Sequence, residues 1–146
     1  MSAVAACAAA AAGAGYAIIV TISDQTVNAV GASAASAGVK ITSGGQYQTG
    51  DSSTGLSPSY SDVGGAEWSD RESPTVGNVF EVMLETGVGT VSNGTVDTWL
   101  ALSSDRSWDV GQNGAGAKSF SGTLKIRRGA TVLDTAAITL TATVGF

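Results

Sequence analysis

The sequence predicts an all-β fold, two antiparallel sheets packed as a sandwich behind an Ala-rich N-terminal extension. Three observations carry that prediction. Runs rich in Val, Ile, Thr and Phe recur over residues 16–22, 79–86, 120–127 and 136–144, most of them alternating apolar and polar positions. The runs are bounded by Gly, Asn, Asp or Ser, the residues that tight turns favour. At 146 residues the chain can bury a single core, and it shows no internal repeat.

The first element is the strangest. Residues 1–15, MSAVAACAAAAAGAG, carry no charged side chain, and the first charge in the chain is Asp24. Ala3 to Ala12 has high helix propensity, broken at Gly13 and Gly15. A secretory signal would need a basic start, which is missing. Residues 3–22 have the length of a membrane span, yet alanine is weakly apolar and no Lys or Arg flanks the run. Small side chains that let backbones approach closely suit a packing segment, so residues 1–15 are expected to serve assembly and residues 16–146 to form the sandwich domain. No stable membrane insertion is expected.

Tyr16 to Ile22 reads as a strand and Asp24-Gln25 as a turn. Gln25 to Val30 either extends that strand or starts another. Gly31 to Gly38 reads as a small-residue connection into a short strand at Val39 to Thr42. From residue 43 to 75 the chain is punctuated by Gly44-Gly45, Gly50, Gly55, Pro58, Gly64-Gly65 and Pro74, which predicts a long irregular region. Long loops in compact domains often belong to binding. Its aromatics Tyr47, Tyr60 and Trp68 are therefore the candidate residues for contact with a partner or host. The competing reading is that they staple the loop onto the sandwich.

Val79 to Thr86 is the clearest strand, with Phe80, Val82 and Leu84 on one face and Glu81, Met83 and Glu85 on the other. Asn93-Gly94 between Val91 and Val96 predicts a two-residue hairpin turn. Trp108 opens a further strand after the turn at Ser103 to Asp105. Phe120, Leu124 and Ile126 then alternate with polar neighbours, and Gly129-Ala130 turns the chain into Ala136, Ile138, Leu140, Ala142 and Val144. The expected core is Phe80, Val82, Leu84, Leu124, Ile126, Ile138 and Leu140, joined by Trp99 or Trp108.

Composition narrows the chemistry. With no histidine and the single Cys7, the usual general base, the Ser–His triad and thiolate metal sites are all missing. Glu81 and Glu85 lie four residues apart on one strand, roughly 13 Å, too far for a glycosidase pair. No catalytic residue, metal site or cofactor is expected. A net charge of -5 gives no general support for binding nucleic acid. Charged residues make up only 13 % of the chain, which suggests that neighbouring subunits cover much of its exterior. Arg106 is the one charge singled out, as a structural clamp stacked on Trp108 or Trp99.

Trp99 to Trp108 reads W-L-x-L-S-x-x-R-x-W, and Ser121 to Arg127 reads S-G-T-L-x-I-R before a last strand. With Glu67-Trp68 as a matching E-W, which implies a short strand near 66–69, this pattern resembles the Ig-like domains of tailed-bacteriophage virion proteins. The resemblance spans roughly residues 76–144, and more weakly 17–50; the first 15 residues depart from it. It implies an Ig-like architecture without the Cys–Trp–Cys signature of antibody domains. It also implies a non-enzymatic structural protein located in the phage tail, tail tip or head–tail region. The implied partners are other virion proteins and copies of the chain itself. The alternative is a host-recognition or cell-surface adhesin that binds glycan through the 43–75 region.

Overall fold

A computed structural model describes residues 18–63, 67–70 and 80–145. The proposed assembly segment 1–15 lies outside the described residues. The strands in chain order are β1 (Ile18–Thr21), β2 (Gln25–Gly31), β3 (Ala34–Ile41), β4 (Tyr47–Ser52), β5 (Ser59–Asp62) and β6 (Glu67–Asp70). They continue with β7 (Phe80–Gly89), β8 (Leu100–Ala101), β9 (Arg106–Asn113), β10 (Gly116–Arg128) and β11 (Thr131–Val144). A five-stranded sheet, β2-β11-β10-β7-β8, packs on a four-stranded sheet, β5-β4-β3-β9, and β1 pairs with β6 in a separate ribbon. The chain is thus an all-β sandwich, as its pattern predicts.

The inward positions follow the alternation. Phe80, Val82, Leu84, Leu124, Ile126, Ile138 and Leu140 are all buried, and Trp108 is the tryptophan that joins them. Fully burying a side chain of this kind stabilises by about 1.5–3 kcal/mol, so this shared face holds the two sheets together. The Trp108 indole would bury an unpaired N–H, and Nε1 avoids this by donating to Thr95 O at 2.6 Å.

Four expectations are corrected. β2 runs parallel to β11, with Gln25 opposite Ile138 and Gly31 opposite Val144, so the sandwich is not wholly antiparallel. Almost the whole domain lies between these two strands, which gives the long connection that a parallel neighbour needs.

Residues 34–38 are not a connection but the first half of β3, paired to β4 on one side and β9 on the other. Ala35 and Ala37 face inward, fully buried against the larger sheet. Small residues there permit close sheet packing.

The 43–75 region contains three strands, β4, β5 and β6, the last falling where the resemblance placed one. Gly50 is a strand residue rather than a turn, because Tyr60 and Ser59 occupy the space where its Cβ would stand.

Asn93-Gly94 does not close a hairpin. β7 belongs to the larger sheet, and the chain beyond it crosses to the smaller one, where Asn93 forms a single bridge with Asp109. The segment turns through positive φ at Gly94 and at Asp97. Asp97 fixes its end by accepting from Thr86 N at 2.7 Å and Thr86 Oγ1 at 2.8 Å.

Candidate functional site

The three candidate aromatics are divided by the sheet. Tyr47, on β4, points inward and is buried, with its hydroxyl donating to Ser23 O at 2.8 Å. Burial, reinforced by Asp24 and Asp134, pushes that hydroxyl above the usual tyrosine range. It is a core residue with no face for a ligand, which corrects its expected role. Trp68 sits on β6 opposite Val20; its side chain lies outside what is described.

Tyr60 points to the opposite side of the smaller sheet. The pairing registers place Tyr60, Gly50, Gly38 and Asp109 in one row across β5, β4, β3 and β9. Successive positions in such a row share a face of the pleat. A Cβ on Gly50 would meet Tyr60 Cδ1 at 2.9 Å, and a Cβ on Gly38 would collide with the Tyr60 hydroxyl. The ring therefore lies along the row over a floor of two glycines, reaching toward Asp109. Lys40 Nζ stands 5.4 Å from the ring centroid, on the same outer face one step along β3.

The electrostatics of the row are set by burial. Among the described residues, neither the buried Tyr60 hydroxyl nor Ser36 Oγ, on the same face of β3, has a hydrogen-bond partner. Burial first, then the nearby Asp109, push the Tyr60 hydroxyl up to about 12, and the Ser107 side chain opposes them from outside full hydrogen-bond geometry. Asp109 is 8 % exposed. Burial raises its carboxyl above the ordinary value, partly offset by Asn93 Nδ2 donating to Oδ1 at 2.9 Å. The sequence pattern does not single out Gly38 and Gly50 as the floor, and it marks Asp109, beside Trp108, only as a solvated or turn carboxylate. An isolated glycine inside an alternating run was the available signal, since it marks close approach by another group.

Elsewhere the charges serve as latches. Asp134 Oδ2 accepts from Ile22 N at 2.8 Å, Asp24 Oδ1 from Ala137 N at 2.8 Å, and Asp105 Oδ1 from Ser43 N at 2.9 Å. The Ser43 amide holds the Asp105 carboxyl below its ordinary value, with help from Lys40 at 3.7 Å. Glu81 and Glu85 face Arg127 and Lys125 across β7 and β10, at 2.9 and 3.1 Å. Arg106 is a clamp, but not by stacking: Nε donates to Ala101 O at 2.8 Å. The stack on Trp99 belongs to Arg127, 4.2 Å from the ring. An open polar cleft of about 290 Å³ is lined by Arg106 with Asn93–Thr95, Leu100, Asp105 and Ser107. Among the described residues, no three acidic or thiol side chains converge as metal ligands.

Comparison of the chain with protein-family models, with curated proteins and with solved structures found no match.

Proposed function

We propose that this chain is a non-enzymatic structural protein of a tailed-phage virion, a tail or tail-tip component whose sandwich makes subunit–subunit contacts. The observation that carries this reading is where the chain spends its charge. Asp24, Asp97, Asp105 and Asp134 each hold a backbone amide of a distant segment, and Glu81 and Glu85 pair across the larger sheet. Such carboxylates fix loops and register rather than act on a substrate. The outer surface keeps exposed apolar positions, Val30 at 68 % and Val88 at 74 %, of the kind that contacts cover. The sequence resemblance over residues 76–144 supplies the biological setting.

Glycan recognition through the 43–75 region has weaker support. Tyr47 is enclosed, and Lys40 stands over the ring of Tyr60 that a sugar would stack on.

Mass spectrometry of purified phage particles tests the proposal. Peptides of this chain at a fixed stoichiometry to the other tail proteins are expected. Their absence from particles made by a host that expresses the chain would overturn it.

A further inference from the structure

β2 is the outermost strand of the larger sheet, paired on one side with β11 and, among the described residues, unpaired on the other. An open edge offers a row of backbone donors and acceptors to any extended chain. Soluble proteins usually blunt such edges with Lys, Pro or a bulge. β2 reads QTVNAVG, with no charge, no proline and an unbroken register to β11.

The smaller sheet reaches further out than this edge. β2 packs over β3 and β4, whereas β5, the next strand outward, makes no comparable contact with the larger sheet. The registers put Ser59 and Ser61 on the inward side of β5, opposite Asp51 and Thr49, and both serines are exposed. The edge of β2 and the inward side of β5 therefore form a step one strand wide. Strands in a sheet lie about 4.8 Å apart, so one added strand would fill the step and cover β5. Antiparallel pairing of two such edges, with both smaller sheets on one side, would drive the partner's β4 and β5 into the same step. The step fits a lone extended segment with small side chains.

We propose that the N-terminal segment of a neighbouring copy, residues 1–15, adds as a strand to the free edge of β2. Main-chain hydrogen bonding of this kind gives affinity without side-chain chemistry, which suits a segment made almost wholly of Ala, Gly and Ser. Fifteen extended residues span about 50 Å, ample to cover a seven-residue strand. Ile22 bonds to Asp134 and Asp24 to Ala137 before Gln25 comes opposite Ile138, so the described chain reaches β2 from beyond its first residue and not along its free edge. The inference rests on the subunit-contact reading above.

Cys7 is the only cysteine and lies inside the proposed strand. Full-length Asn28→Cys, altered at an exposed position of β2, is prepared with and without ¹⁵N, mixed, mildly oxidised and mapped by mass spectrometry. Disulfides joining residue 7 of one chain to residue 28 of another are expected, and should be lost when position 131 carries the cysteine instead. Thr26→Cys repeats the test if Asn28→Cys does not fold. Links of 7 to 28 only within one chain would show that the segment covers its own edge and would overturn the proposal. So would links of 28 to 28 alone, or none above the control. The particle assay can still succeed in each of those cases, so the two proposals fail separately.

Discussion

The hydroxyl of Tyr60 occupies the place that a side chain on Gly38 would need, two strands away from its own. A single methyl group at residue 38 would also stand 2.9 Å from Trp108 O and 3.0 Å from Asp109 Cβ. Neither of these can move without disturbing β9. Gly38→Ala is expected to destabilise the fold by about 1–3 kcal/mol, the usual range for forcing a methyl into a packed site. Chemical denaturation measures it. A loss under 0.5 kcal/mol, on the order of an unremarkable surface change, would show that the ring does not lie on this floor.

Tyr60→Phe isolates the hydroxyl. Because that oxygen is buried without a partner among the described residues, removing it relieves a desolvation cost, and the variant should be as stable as the parent or more so. Paired with Gly38→Ala, it should recover part of the glycine variant's loss, read from a double-mutant cycle. Additive effects would disconnect the two residues.

Asp109 makes stability depend on pH with a defined sign. Its carboxyl is raised by burial, so just above the ordinary value the folded state keeps a proton more often than the unfolded chain does. Stability from this group is fully present below the ordinary value of 3.8 and falls as pH rises through the higher folded value. Asp109→Asn should remove that downward slope in urea titrations between acidic and neutral pH. Asp97 and Asp105 act oppositely: held low, they add stability above 3.8 that is lost as pH falls. Subtracting the two profiles isolates Asp109.

Arg127 does one thing that Lys125 does not. It stacks on Trp99 at 4.2 Å and pairs with Glu81 at 2.9 Å, whereas Lys125 only pairs with Glu85. Arg127→Ala should cost about 1–2 kcal/mol, combining a cation–π contact with a surface pair. Lys125→Ala should cost under about 1 kcal/mol. Tryptophan fluorescence adds a second readout, since only the Arg127 variant should change the surroundings of Trp99.

Leu140 and Ile126 are fully buried on the shared face of β11 and β10. Truncating either to Ala should cost about 2–5 kcal/mol. A charged residue tolerated at either position would contradict the observed faces.

The sequence by itself determined the all-β class and the inward face of β7, β10 and β11. Apolar side chains at every second position force those strands to bury one face, and a slip by one residue would expose all of them. It determined the Gly129-Ala130 turn for the same local reason: Gly129 adopts positive φ between two runs that pair residue by residue. Local pattern could not reach what long-range register decided. β3 carries almost no strand propensity in its first five residues, and it is a strand because β4 and β9 hydrogen-bond to both its edges. Tyr47 and Tyr60 look alike in sequence, but only their pairing partners show that one faces the core and the other the outer sheet. Trp99 meets Arg127 rather than Arg106 because β8 and β10 both pair with β7, a proximity built by strand order and absent from any stretch of neighbouring residues.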